Sequence, residues 1–135
     1  MALDLTAVDA AELTPYVPVF GGERDKAEAD PAYPAARFFL RHMTEREAEA
    51  YQEFRLVDGK LEVNHGDCAR IFAAHVARAE NFSVRLNGGE VVTIDDGQRY
   101  AELRDRLPGG VKHLVAEVAV QVVRLSSLTE QDAKN

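Results

Sequence analysis

The sequence predicts an α+β domain, predominantly helical, with about four helices, one short β-hairpin and a flexible acidic N-terminal arm. Three observations predict it. Apolar residues recur at spacings of three and four in four segments, which places them on one face of a helix. Around Asn87-Gly88 the period falls to two. The first 35 residues carry seven acids against two bases, with four of the five prolines.

The 135 residues are enough for one modest domain with a single core. Residues 1–36 are expected to be an extended, poorly packed acidic arm, 37–126 the mainly helical domain and 127–135 a C-terminal tail. Proline removes a ladder donor and the Gly21-Gly22 pair breaks regular structure, so little ladder is expected in the arm. Ala35–Met43, apolar at Phe38, Phe39 and Leu40, reads as a strand or an anchored lead-in. Thr44-Glu-Arg-Glu47 is a capping box in which the threonine hydroxyl and the glutamate each satisfy the other's backbone N–H. A helix over about 45–56 follows, ended by Asp58-Gly59.

A second helix is expected from Asp67 as N-cap, with Cys68, Ile71, Phe72, His75, Val76 and Ala79 along one face. Phe82, Val84 and Leu86 then alternate with polar residues up to Asn87-Gly88, and Val91–Ile94 return the chain. Asn-Gly tolerates the positive φ angles of a type I′ turn, so the segment reads as a hairpin. A third helix opens at Asp95 or Asp96 and buries Tyr100, Leu103 and Leu107.

The fourth helix, about 109–126 after Pro108, is the most apolar element. At helical steps Val111, Leu114, Val115, Val118, Val122 and Leu125 fall in an arc of about 100°, and Ala116, Ala119, Val120 and Val123 beside it widen the apolar surface to about 240°. His113, Glu117, Gln121 and Arg124 form a narrow polar strip. A surface helix needs only the first arc, so the second is read either as deep core or as an association face. Val118, Val120 and Val122 also alternate, which a buried strand would explain. The candidate partner-binding residues are Val111, Leu114, Val118, Val120 and Val123.

The net charge of −7 disfavours nucleic acid and anionic membrane as partners, because both are bound through basic groups. The N-terminal residues lack the basic and apolar regions of a signal peptide, and Val111–Leu125 contains too many polar residues to span a bilayer, so a cytoplasmic location is expected. The single cysteine, Cys68, leaves no disulfide and no Cys-x-x-Cys pair. None of the glycine pairs stands in a phosphate-binding frame, and there is no nucleophile elbow. His65, Cys68 and His75 are chemically suited to zinc, but their spacing matches no metal motif, and Cys68 and His75 share a face with Ile71 and Phe72. Asp67 beside Cys68 would raise the thiol pKa and make it a poor nucleophile. No cofactor and no catalytic residues are expected.

Three segments carry a family resemblance. Tyr16-Val-Pro-Val-Phe-Gly-Gly-Glu-Arg24 resembles the aromatic-x-Pro-x-Phe-x-x-Asn-Arg opening of phage tail assembly chaperones, with Glu23 where that pattern has Asn. Thr44–Glu47 matches the Thr-x-x-Glu helix start that follows, and Leu107-Pro108 precedes a Val/Leu-rich helix as in that family. Leu125-Ser-Ser-Leu-Thr-Glu-Gln-Asp-Ala-Lys-Asn135 resembles its ending. The resemblance implies a non-enzymatic morphogenesis factor of a long-tailed phage or prophage. Such a factor holds the tape measure protein soluble, helps recruit tail tube subunits and is absent from finished virions. It also implies a longer product made by frameshifting. Ala133-Lys134-Asn135 can be encoded as GCA-AAA-AAC, which contains a slippery heptamer, and the gene sequence decides whether it is. A homo-oligomer through the fourth helix is a further expectation. The alternative reading is a structural virion part, such as a head–tail joining or tail completion protein.

Overall fold

The computed structural model describes residues 12–51, 55–57, 60–62 and 64–126. In chain order the elements are β1 (Leu13–Tyr16), α1 (Glu23–Ala29), β2 (Arg37–Arg41), α2 (Glu45–Glu49), β3 (Arg55–Val57), β4 (Lys60–Glu62), α3 (His65–His75), β5 (Val76–Glu80), β6 (Ser83–Arg85), β7 (Val91–Thr93), α4 (Gly97–Leu103) and α5 (Val111–Ser126). Short 3-10 turns precede α1 and follow α4. The strands form a three-stranded sheet in the order β1-β2-β5 and two hairpins, β3-β4 and β6-β7, all antiparallel. The α+β class stands, with five helices among the described residues and more strand than one hairpin.

The extended, poorly packed arm is corrected over residues 12–36. Leu13–Tyr16 pair with Arg41–Phe38 as an edge strand, where Pro15 is tolerated because an outward-facing position needs no N–H. Gly21 and Gly22 take positive φ (69° and 75°) and turn the chain into α1. Glu23 and Asp25 lie in its first turn, where their charge suits the helix dipole. Glu23 also accepts from the Tyr33 hydroxyl (2.8 Å) and the Ala36 N–H (3.0 Å), which ties α1 to the start of β2.

The capping box is present, with Thr44 Oγ1 accepting from Glu47 N and Glu47 Oε1 from Thr44 N. The helix it starts ends at Glu49, and part of the expected remainder is strand β3. The second helix starts at His65, capped by Asn64 and not by Asp67, and stops at His75. Val76–Glu80 is strand, although Val76 and Ala79 continue the helical spacing. The cause is a bulge in the pairing of β2 with β5: Phe38 faces Ala79 and Phe39 faces Arg78, but Leu40 faces Val76. Ala77 is the extra residue, so the two buried positions of β5 fall three apart instead of two.

The β6–β7 hairpin forms as expected, with Arg85 opposite Val91. Its turn is not type I′, because Gly88 and Gly89 have positive φ (93° and 92°) and Asn87 does not. The third helix starts at Gly97 with Asp96 as N-cap, and the fourth at Val111, three residues after Pro108.

The core is one cluster. Phe38 and Leu40 of β2 meet Cys68, Ile71 and Phe72 of α3, Tyr100 and Leu103 of α4, and Val115, Val118, Ala119 and Val122 of α5. Phe38 packs edge-on against Phe72 (5.8 Å) and Phe82 (5.3 Å), and Phe72 against Tyr100 (4.7 Å). On the other face of β2, Arg78 stacks over Phe39 at 4.1 Å. Helix α3 packs against both α4 and α5.

Candidate docking face

The Tyr16–Arg24 segment is held by side chains distant in sequence. Glu117 of α5 accepts the Tyr16 hydroxyl at 2.5 Å, the Val19 N–H at 2.7 Å and the Phe20 N–H at 2.9 Å. Arg24 donates twice to the Val17 carbonyl (3.1 and 2.9 Å) and lies 5.2 Å from the Tyr16 ring centroid. Pro18 is buried. Partial burial, reinforced by the Glu117 carboxylate, raises the Tyr16 pKa. The backbone is thus fixed from one side, and the two apolar side chains at its apex face water. Val19 is 55% exposed and Phe20 44%.

Phe20 forms one wall of an apolar groove of about 460 Å³. The other walls come from Phe82 and Val84 of the hairpin and Val111 and Leu114 at the start of α5, with Arg85 and His113 at polar positions. Three separate stretches of chain therefore converge on one concave apolar surface. Such a surface accepts the apolar face of a helix or an extended peptide. A second cavity, about 240 Å³, lies against α3, α4 and α5 and shares Pro108 and Val111 with the groove.

The five residues singled out in the sequence divide on this structure. Val111 and Leu114 line the groove. Leu114 is 6% exposed and Val118 is fully buried, so Val118 is core and Leu114 contributes only its edge. Val120 and Val123 are half-buried, and Val123 packs against the core cluster. The wide apolar arc of α5 is mainly filled by its own chain, because α5 lies against α3 and also meets β2. Ala119, from the second arc, is fully buried. The residues missed in the sequence are Phe20 and Glu117. The motif around Phe20 was the available signal for the first. Glu117 reads as an ordinary position on a polar strip, and only the tertiary fold supplies its three donors.

The zinc-like set does not assemble. Cys68 is buried and its thiol pKa is raised by burial. His65 is exposed beside the smaller cavity, with its ring 6.3 Å from that of His113. Among the described residues no group of three His, Cys, Asp or Glu side chains stands together. His75 is fully buried, with Nδ1–H donating to the Arg41 carbonyl at 3.0 Å and Nε2 lying 3.8 Å from the Glu47 carboxylate. Burial lowers its pKa, and the Glu47 charge opposes that only in part.

A pH dependence follows from this burial. The unfolded chain binds a proton at His75 near pH 6.5, where the native imidazole stays neutral. Stability should therefore be full above that pH and decline as pH falls below it, until the native imidazole itself titrates. Urea midpoints measured from about pH 7.5 to about pH 5 should show the decline, and His75→Phe should make it shallower. An unchanged slope in the variant would contradict the buried neutral state.

No protein-family model, no curated protein and no solved structure matches the chain. No helix among the described residues is long and apolar enough to cross a membrane.

Proposed function

We propose that the chain acts by binding and not by catalysis, as a tail assembly chaperone of a long-tailed phage or prophage. It holds the tape measure protein soluble in the bacterial cytoplasm, helps recruit tail tube subunits and leaves the finished particle. The observation that supports this reading is the water-facing apolar groove beside Phe20, built on the same Tyr16–Arg24 segment that carries the family resemblance. A tape measure protein is a long helical chain with an apolar face that aggregates alone. A groove with apolar walls is the complement of such a face, and the net charge of −7 keeps the loaded chaperone from self-associating.

Co-expression tests the reading. Phe20→Ser and Val120→Lys change exposed or half-buried positions, so each should leave the unfolding free energy from urea titration within about 0.5 kcal/mol of the parent. Phe20→Ser should send the tape measure protein to the insoluble fraction, and Val120→Lys should do so if α5 takes part. Full solubility with Phe20→Ser would overturn the groove as the binding site. Finding the chain in purified virions by mass spectrometry would favour the structural virion protein instead.

A further inference from the structure

We infer that the groove and its neighbouring cavity read a single peptide segment with a two-part code: apolar side chains on one side of Val111 and a carboxylate on the other. This rests on the chaperone reading and specifies the chemistry of the client. The smaller cavity is formed by His65 and Ala69 of α3, Tyr100 of α4, Arg104, and Val111, Lys112 and Val115 of α5, among others. Its base is apolar, since Ala69, Tyr100 and Val115 are buried, while His65, Arg104 and Lys112 stand exposed around it.

The charge arrangement is selective. The chain has 23 acids and 16 Lys plus Arg, yet among the described residues no Asp or Glu lines either cavity. Arg104 and Lys112 line the smaller one and Arg85 the groove. Outside the two cavities Arg106 pairs with Glu90 (2.7 Å) and Arg99 with Glu102 (3.3 Å). A concentrated positive rim on an otherwise negative protein steers an acidic group to that place and repels a basic one. The two cavities share Val111 and Pro108, and the His65 and His113 rings, one from each, stand 6.3 Å apart. Because the cavities adjoin at Pro108 and Val111, an amphipathic segment occupying both would set apolar residues against Phe20 and Leu114 and a flanking residue at Arg104 and Lys112. The expected occupant is a helical segment of a client protein with an acidic residue flanking its apolar stripe.

The probes are three 18-residue helical peptides with leucines at one face and Glu, Gln or Lys at one flanking position. Binding is read by fluorescence anisotropy on the full chain. The Glu peptide should bind roughly 5-fold tighter than the Gln peptide, with the Lys peptide weakest, and added salt should narrow the difference. The double variant Arg104→Gln, Lys112→Gln should bind the Glu and Gln peptides alike, with the affinity of the parent for Gln. Phe20→Ser should weaken both by a similar factor. Equal binding of Glu and Gln peptides by the parent, or a Glu preference that survives in the double variant, overturns the inference. So does displacement of the Glu peptide by an equal concentration of inorganic phosphate, or dimerisation of the free chain that the double variant abolishes. If none of the peptides binds, the inference also fails. The chaperone reading is judged separately, by whether the parent still keeps the tape measure protein soluble on co-expression.

Discussion

Gly97→Ala should destabilise the protein by about 3 kcal/mol or more, lowering the melting temperature by roughly 10–15 °C. Gly97 is the first residue of α4 and is buried where that helix starts against the last turn of α3. A Cβ at this position would lie 2.4 Å from the Ala73 carbonyl oxygen and 2.5 Å from that of Phe72. Both obstacles are backbone atoms of a helix that is itself packed against α5, so neither can step aside as a flexible side chain would. Relief requires α4 to lift, and lifting it pulls Tyr100 from Phe72 and Leu103 from the core. Gly109→Ala is the control, because its Cβ would meet nothing within 4 Å. Thermal melts of the two variants side by side make the comparison. A Gly97→Ala protein melting with the parent would mean that α4 does not sit this close to α3.

Glu117→Ala should cost about 2–3 kcal/mol and should also impair client binding. One carboxylate takes three donors, from Tyr16, Val19 and Phe20. The two backbone bonds are exposed to solvent, so water replaces part of what is lost and the cost stays below that of three buried charge-assisted bonds. The geometric loss is larger than the energetic one. Without the carboxylate the apex at Val19 and Phe20 is no longer pinned to α5, and the groove loses a fixed wall. Glu117→Gln should fall between, since its amide N–H₂ faces donors where an acceptor is needed. Hydrogen exchange at the amides of Val19 and Phe20 checks the point directly. Both should be protected in the parent and exchange faster in either variant. Unchanged exchange would show that the segment is held by Arg24 and β1 alone.

The parts of the fold written locally in the sequence are those that the sequence discloses. Thr44 and Glu47 sit three residues apart and make the capping box whatever surrounds them. Asp96 caps α4, and Asn87-Gly88 marks the β6–β7 turn, by chemistry contained in a few adjacent residues. The length of α5 follows from its unbroken apolar period. What stayed hidden depends on partners far along the chain. The bulge opposite Leu40 moves the buried positions of β5 from alternate residues to every third, which imitates a helix. Val57 pairs with Lys60, so strand pairing replaces part of the stretch expected to be helix, while the expected stop at Asp58-Gly59 lies outside the described residues. The prolines and acids of residues 12–36 look like those of a solvated tail, but Pro18 is buried and Glu23 accepts two hydrogen bonds. Of the candidate site, Val111 and Leu114 were legible from helical periodicity, whereas the groove they help to form needs Phe20, brought there by a glutamate on another element.

The bonds from Val19 and Phe20 to Glu117 span 98 and 97 residues. During synthesis at about 5–20 residues per second, the N-terminal turn waits roughly 5–20 s for its acceptor to be added to the chain. A nascent chain on the ribosome can pair β1 with β2 well before then, but the Phe20 wall of the groove is fixed only once α5 has emerged as far as Glu117. Under the proposed function, the wall that would receive a client therefore cannot be fixed before Glu117 is available to hold it.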